Sequence, residues 1–176
     1  TGGAGRIYAS TTNALINSGD GIGMSLRAGF PVQDIEMWQF HPTGIHGAGT
    51  LVTEAVRGEG GRLLNGNGER FMEKYDSDRL ELSTRDRVAM ANYLEISEGR
   101  GSENGGVLLD ISHKPKEFII EKLPRMYRQF LDTLMLDISK KPMEVAPTAH
   151  YSMGGVAVDP DTHSTGIEGL FAAGEC

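Results

Sequence analysis

Residues Met37 to Gly61 read MWQFHPTGIHGAGTLVTEAVRGEGG, and the interpretation of the whole chain turns on them. The stretch holds two histidines, His41 and His46, a hydroxyl beside a carboxylate at Thr53-Glu54, an arginine at Arg57 and a further acid at Glu59. The apolar run from Thr50 to Val52 predicts a short buried strand that leads into the Thr-Glu pair and delivers both side chains to a cavity wall. Glycines at 44, 47, 49, 58, 60 and 61 permit tight turns and close approach to a bound molecule. Such a segment is a poor core and a good site.

Upstream, Pro31 to Phe40 alternates imperfectly and is expected to enter a sheet or its rim. Asp20, ahead of GIGMSLRAG, is placed to cap a helix that Gly29 and Pro31 close. The opening Gly2-Gly3-Ala4-Gly5-Arg6 lacks the G-x-G-x-x-G spacing and follows no strand, so a phosphate loop and a plain glycine turn are both open readings.

Downstream, Leu63-Leu64, Asn65-Gly66-Asn67-Gly68 and Glu69-Arg70-Phe71 predict a hairpin turning at asparagine-glycine. Ser83 as N-cap with Asp86 three positions on predicts a helix through Ile96 that stops at Gly99. Arg85 then falls in its first turn, where the helix dipole disfavours a cation. It is either solvated there or held facing an anion. Val107 to Ile111 reads as a buried strand. Phe118, Ile119, Ile120 and Leu123 predict a helix that Pro124 breaks, and Met126, Tyr127, Phe130, Leu131 and Leu134 continue as a second piece. Between them Lys116, Glu117, Glu121, Lys122, Arg125 and Arg128 are read as a solvated face. Val145 to Val158 and Gly169 to Ala173 return to strand-like sequence.

Composition narrows the function classes. The 176 residues suit one domain of ordinary size, 39% hydrophobic and 23% charged. No apolar run approaches the roughly 18 residues of a membrane span. A formal charge of -7 argues against nucleic acid and against unaided binding to an anionic membrane, so an anionic ligand requires positive charge gathered locally. The single cysteine, Cys176, permits no internal disulfide. His41 and His46 lack the helical spacing of a zinc pair, and no metal is expected. The glycine-rich ends, Thr1 to Gly5 and Gly174-Glu175-Cys176, predict a piece cut from a longer protein.

Five motifs in order, QFHPTG, LVTEAVRGEGG, the Arg85-Asp86 pair, PTAHYSMGG and GLFAAGE, resemble the flavoprotein subunit of succinate dehydrogenase and fumarate reductase. L-aspartate oxidase shares that fold, and Leu108 to Pro115 has counterparts there too. The resemblance implies an α+β fold: residues 1–35 ending a segment of a Rossmann-like FAD-binding domain, 36–153 forming the capping domain that closes on substrate, and 154–176 returning to the FAD domain. It implies that His41, Thr53 and His150 bind a C4 dicarboxylate, that Arg85 passes the proton, and that Glu54 and Arg57 supply Arg85. It places Gly2, Gly3, Gly5, Asp20 and Glu175 at FAD.

The implied reaction interconverts succinate and fumarate, with a hydride exchanged at flavin N5 and a proton moving through arginine. Membrane-anchor subunits and an iron-sulfur subunit are the implied partners, with the chain peripheral on the cytoplasmic or matrix face of a respiratory membrane. Two alternatives stand beside this: an L-aspartate oxidase, and a non-catalytic module that binds dicarboxylate or serves structure alone. Read singly, His41 also fits a partner for a loop carbonyl, and Glu54 with Arg57 a structural ion pair. The family's dinucleotide fingerprint, a histidine for covalent flavin and a further carboxylate-binding arginine are not among these residues. The chain alone is therefore expected to hold FAD weakly or not at all, without turnover.

Overall fold

Apolar alternation and helical spacing set most of the elements in the computed structural model, which describes residues 2–176. Thr1 lies outside the described residues. In chain order the strands are β1 (Val32–Gln33), β2 (Trp38–Ile45), β3 (Arg62–Leu64), β4 (Val107–Asp110), β5 (Met143–Ser152) and β6 (Gly155–Val156). The α-helices are α1 (Asp20–Arg27), α2 (Ala55–Gly58), α3 (Met72–Tyr75), α4 (Arg85–Glu95), α5 (Lys116–Lys122) and α6 (Pro124–Leu134). This mixture agrees with the α+β expectation.

The chain divides into two compact units, His41–Thr148 and the pair of segments Thr1–Phe40 and Ala149–Cys176. The divisions fall inside β2 and β5.

The apolar core belongs to the first of these units. Its sheet has the order β2-β5-β4-β3, antiparallel between β3 and β4 and between β4 and β5. Leu63 pairs with Leu109, and Leu109 with Met143, so three fully buried side chains lie across neighbouring strands. Along β4, Val107 and Leu109 are buried while Leu108 and Asp110 are less so, the period-two pattern of a half-buried strand. Against this core α6 turns Met126, Tyr127 and Phe130, and α5 turns Ile119. Burial of a side chain like Phe130 stabilises the fold by roughly 1.5–3 kcal/mol. The smaller unit pairs β1 with β6 antiparallel, Val32 opposite Val156, and carries α1.

Several local expectations are corrected. Asp20 does not cap α1; the N-cap is Gly19, and Asp20 is the first helical residue. Ser83 does not cap α4 either. Thr84 occupies the N-cap without a side-chain cap bond, and the Ser83 hydroxyl is engaged by Asp76, which helps hold that carboxyl down at about 2. Thr50 to Val52 forms no strand, only a single bridge of Leu51 to Gly44, because the bends at Gly47 and Gly49 fold the segment back at once. Gly169 to Ala173 likewise reduces to one bridge, Phe171 to Ser164.

The hairpin is shortened in the same way. Its outgoing arm is a bridge from Leu64 to Arg70, while the expected asparagine-glycine turn holds, its left-handed residue being Gly68 of the second pair at φ 80°. Pro124 does separate two helices, and it serves as the first residue of α6, where its missing N–H costs nothing. Ile120, Leu131 and Leu134, expected inward, are exposed because the buried stripes of these short helices are narrow.

Candidate active site

The short α2 and the start of α4 bring three charged side chains together. Glu54 precedes α2, Arg57 lies within it, and Arg85 opens α4. Glu54 Oε1 accepts from Arg85 Nε at 2.7 Å and from Arg57 Nη2 at 3.1 Å, so one carboxylate oxygen is shared by two guanidiniums. The Arg57 side chain is 4% exposed, Glu54 46% and Arg85 37%, so the chain of groups runs from surface to interior. At the inner end Arg57 Nη1 donates to the Glu81 carbonyl at 2.6 Å, and Arg57 Nε is buried without a partner among the described residues.

The electrostatics follow from this sharing. The hydrogen bond from Arg85 holds the Glu54 carboxyl below its ordinary value; partial burial works against this, and the fields of Arg85, Arg57 and His41 reinforce it. The same bond raises Arg85. Burial pulls Arg57 down while Glu54 pulls it up, and a guanidinium remains a cation under either influence. An arginine in the first turn of a helix, against the dipole, is thus compensated by an anion 31 positions away in sequence.

Thr53 sits one residue before this cluster, its Oγ1 accepting from the Ala55 N–H at 3.3 Å. His41, in the same unit, is almost fully buried. Its Nδ1 accepts from the Thr43 backbone N–H at 3.2 Å, and the Thr43 hydroxyl spends its proton on the Val52 carbonyl at 2.9 Å. When the ring is neutral, with Nδ1 an acceptor, it carries its proton on Nε2. Asn92, fully buried on α4, donates from Nδ2 to the Pro42 carbonyl at 2.8 Å and so fixes the backbone next to His41.

His150 and the residues expected at FAD lie in the smaller unit. His150 Nδ1 meets the Thr12 hydroxyl at 2.6 Å, and its carbonyl accepts from Asn13 Nδ2 at 2.7 Å. Glu175 Oε1 accepts from the Ser152 N–H at 2.8 Å, and Ser152 Oγ accepts from the Ala4 N–H at 3.1 Å. A Cβ on Gly3 would collide with the Glu175 carboxylate and come within 2.7 Å of Ser152 Oγ, so a side chain at this position would push both groups from their places. The Gly3 carbonyl accepts from Gly19 at 3.2 Å, which sets the glycine turn beside the start of α1 and Asp20. Gly2 adopts φ 72°, and Gly5 opens a short 3₁₀ turn. Asp20 stands in the first turn of α1, where a carboxylate is favoured by the helix dipole.

The structure therefore joins Glu54, Arg57 and Arg85 directly, keeps Thr53 and His41 in their unit, and gathers Gly2, Gly3, Gly5, Asp20, Glu175 and His150 in the other. Sequence reasoning did not single out Thr12, Thr43, Ser152 or Asn92. For Asn92 a signal existed: it falls four residues after buried Val88, on the inward face of an amphipathic pattern. Thr12, Thr43 and Ser152 gave none, since hydroxyls are common in any turn or strand.

Comparison with known proteins supplies the family. The profile of the FAD binding domain family matches residues 1–176. The chain is 57% identical over 179 residues to a component of the CoM/CoB fumarate reductase of Methanothermobacter marburgensis, covering 99% of this chain and 32% of that protein. It is 49% identical over 187 residues to a succinate dehydrogenase flavoprotein subunit of Coxiella burnetii, covering 100% and 32%. A solved E. coli quinol fumarate reductase chain superimposes with a TM-score of 0.93 at 40% identity, over 100% of this chain and 32% of that one. The chain thus spans about a third of the length of these relatives. It belongs to the FAD binding domain family, in close similarity to the flavoprotein subunits of succinate dehydrogenases and fumarate reductases.

Proposed function

We propose that this chain is the substrate-closing part, with adjoining FAD-domain segments, of an oxidoreductase that interconverts succinate and fumarate. Residues 36–153 act as the capping domain, and 1–35 and 154–176 belong to the FAD-binding domain. The observation that carries the reading is the single Glu54 oxygen shared by Arg57 and Arg85. The relatives support it from another side: their names differ in the electron donor, CoM/CoB in one and quinol in another, and agree on the dicarboxylate. That agreement favours succinate and fumarate over an amino-acid substrate.

In this proposal the carboxylates of a C4 dicarboxylate are held by His41, Thr53 and His150, through imidazole N–H and hydroxyl donors suited to carboxylate oxygen. Arg85 moves the proton. Its bond to Glu54 raises its affinity for that proton, so a free neutral arginine is disfavoured. Loss of a proton to the substrate carbon must be matched by gain of one along the Glu54 side, and Arg57 holds the Glu54 carboxylate in place for that exchange.

The smaller unit fits FAD by its chemistry. Backbone N–H groups of the Gly2 to Gly5 turn suit phosphate or carbonyl oxygen, and the carboxylates of Asp20 and Glu175 suit hydroxyl groups. When bound, FAD supplies the two-electron exchange. Membrane anchors and an iron-sulfur subunit complete the path in the proposed assembly, with this chain peripheral. Among the described residues no helix is long and apolar enough to cross a membrane.

The test is Arg85→Lys in the full-length, FAD-loaded protein, assayed with succinate and with fumarate. Turnover is expected to fall by about 10²–10⁴ while substrate affinity falls far less. Equal turnover by variant and wild type discards the role, and turnover on L-aspartate in place of succinate transfers the reading to an oxidase.

A further inference from the structure

A cavity of about 510 Å³ in the His41–Thr148 unit is walled by Thr53 and by the junction of α5 and α6. Its polar lining consists of the side chains of Thr53, Lys122, Arg125 and Gln129, and its apolar lining includes Leu51 and Met126. No carboxylate lines it, in a chain with 17 Lys and Arg against 24 Asp and Glu. Among the described residues Arg125 makes no ion pair, and Lys122 pairs with the exposed Glu121 alone, at 3.4 Å. Gln129 Nε2 is buried with no hydrogen-bond partner among the described residues. Thr53 Oγ1 accepts its one bond from the Ala55 N–H, which leaves the hydroxyl proton to donate.

A lining of donors and cations interleaved with apolar side chains suits a small carboxylate carried on a short hydrocarbon chain. We infer that Lys122, Arg125 and Gln129 extend the carboxylate-binding site beyond Thr53 and select for a dianionic substrate, a reading that rests on the function proposed for Thr53. Lys122 and Arg125, on the helix faces read from sequence as merely solvated, draw the dianion in from solvent. Gln129, whose amide nitrogen otherwise stays unpaired among the described residues, donates to a carboxylate oxygen. Net positive charge continues into the neighbouring cluster, since Glu54 is outnumbered by Arg57 and Arg85.

The experiment uses the full-length FAD-loaded protein and two probes: fumarate in steady-state turnover, and malonate, a dicarboxylate whose single methylene cannot be desaturated, in calorimetric titration. Arg125 is exposed on α6, so Arg125→Ala and Arg125→Glu fold as the parent does. Arg125→Ala is expected to raise the malonate Kd and the fumarate KM by about fivefold, and Arg125→Glu by about twentyfold, with a flatter dependence on ionic strength in both. A malonate Kd that stays flat across the series while wild type turns over fumarate overturns this inference and leaves the proposed function standing. A graded malonate Kd in a protein inactive on succinate and fumarate overturns the proposed function and upholds the pocket. A loss confined to kcat assigns Arg125 to another step and overturns the inference.

Discussion

Replacing Glu54 with glutamine separates a proton relay from a structural ion pair, because the amide keeps the shape and one acceptor oxygen while losing the charge and turning the other oxygen into an NH2 donor. In the native cluster that oxygen bonds Arg85 at 2.7 Å and Arg57 at 3.1 Å. Breaking a fully buried pair costs about 3–5 kcal/mol, and breaking an exposed one about 0–1. Arg57 is 4% exposed but Glu54 46%, so solvent screens half the pair and the expected loss of stability is about 1–2 kcal/mol.

The sign of the pH dependence follows from the Glu54 carboxyl being held below its ordinary value of 4.5. Its contribution is complete above that value and disappears as pH falls through the lowered one. The difference in stability between wild type and Glu54→Gln is therefore constant at neutral pH and shrinks below about pH 4.5. Turnover is expected to fall much further, by about 10²–10⁴, because a neutral amide cannot exchange a proton with Arg85. Thermal denaturation across pH and steady-state turnover of the full-length protein give both quantities. A variant that loses the stability yet turns over within about tenfold of wild type refutes the relay and leaves an ion pair.

Three further outcomes are expected. Glu95 is 1% exposed and is met by Arg100, Tyr75, Asn65 and Lys74; the Arg100 bond, ahead of those from Tyr75 and Asn65, brings its carboxyl down to about 2. Its stabilisation should persist above pH 4.5 and be lost between there and about 2, and Glu95→Ala should cost about 1–3 kcal/mol in chemical denaturation at pH 7, since Arg100 keeps Glu98 as a partner and Lys74 stays solvated. Gly3→Ala should displace Glu175 and Ser152, so the full-length variant should purify with less flavin absorbance, its circular dichroism unchanged. Asn92→Leu strands the Pro42 carbonyl, with about 1–3 kcal/mol lost in denaturation and a shift in the His41 ring signals by NMR.

The fold was legible wherever one segment's own pattern sufficed. The helical spacing of Val88, Ala91 and Leu94, the β-rich run at Val107 to Ile111 and the break at Pro124 each state their element locally, since backbone propensity and side-chain period act over a few residues. The caps were not legible in the same way. Ser83 and Asp20 are good capping residues by type, but the Asp76 carboxylate claims the Ser83 hydroxyl, and the N-cap of α1 falls one residue earlier, on Gly19. Short strands at 50–52 and 169–173 shrank to single bridges, with Gly44 and with Ser164, because the chain turns back on itself too soon for a longer ladder, which no local pattern encodes.

Residue types and their order, QFHPTG through GLFAAGE, were enough by themselves to mark the family and the residues to watch. Only the tertiary structure decided which of them meet. It paired Arg85 with Glu54 across 31 positions, put Asn92 under the Pro42 carbonyl, and set Arg125 and Lys122 on a cavity wall with Thr53. A charge's partner is fixed by packing among elements remote in sequence, and sequence pattern describes a residue's chemistry without its neighbours.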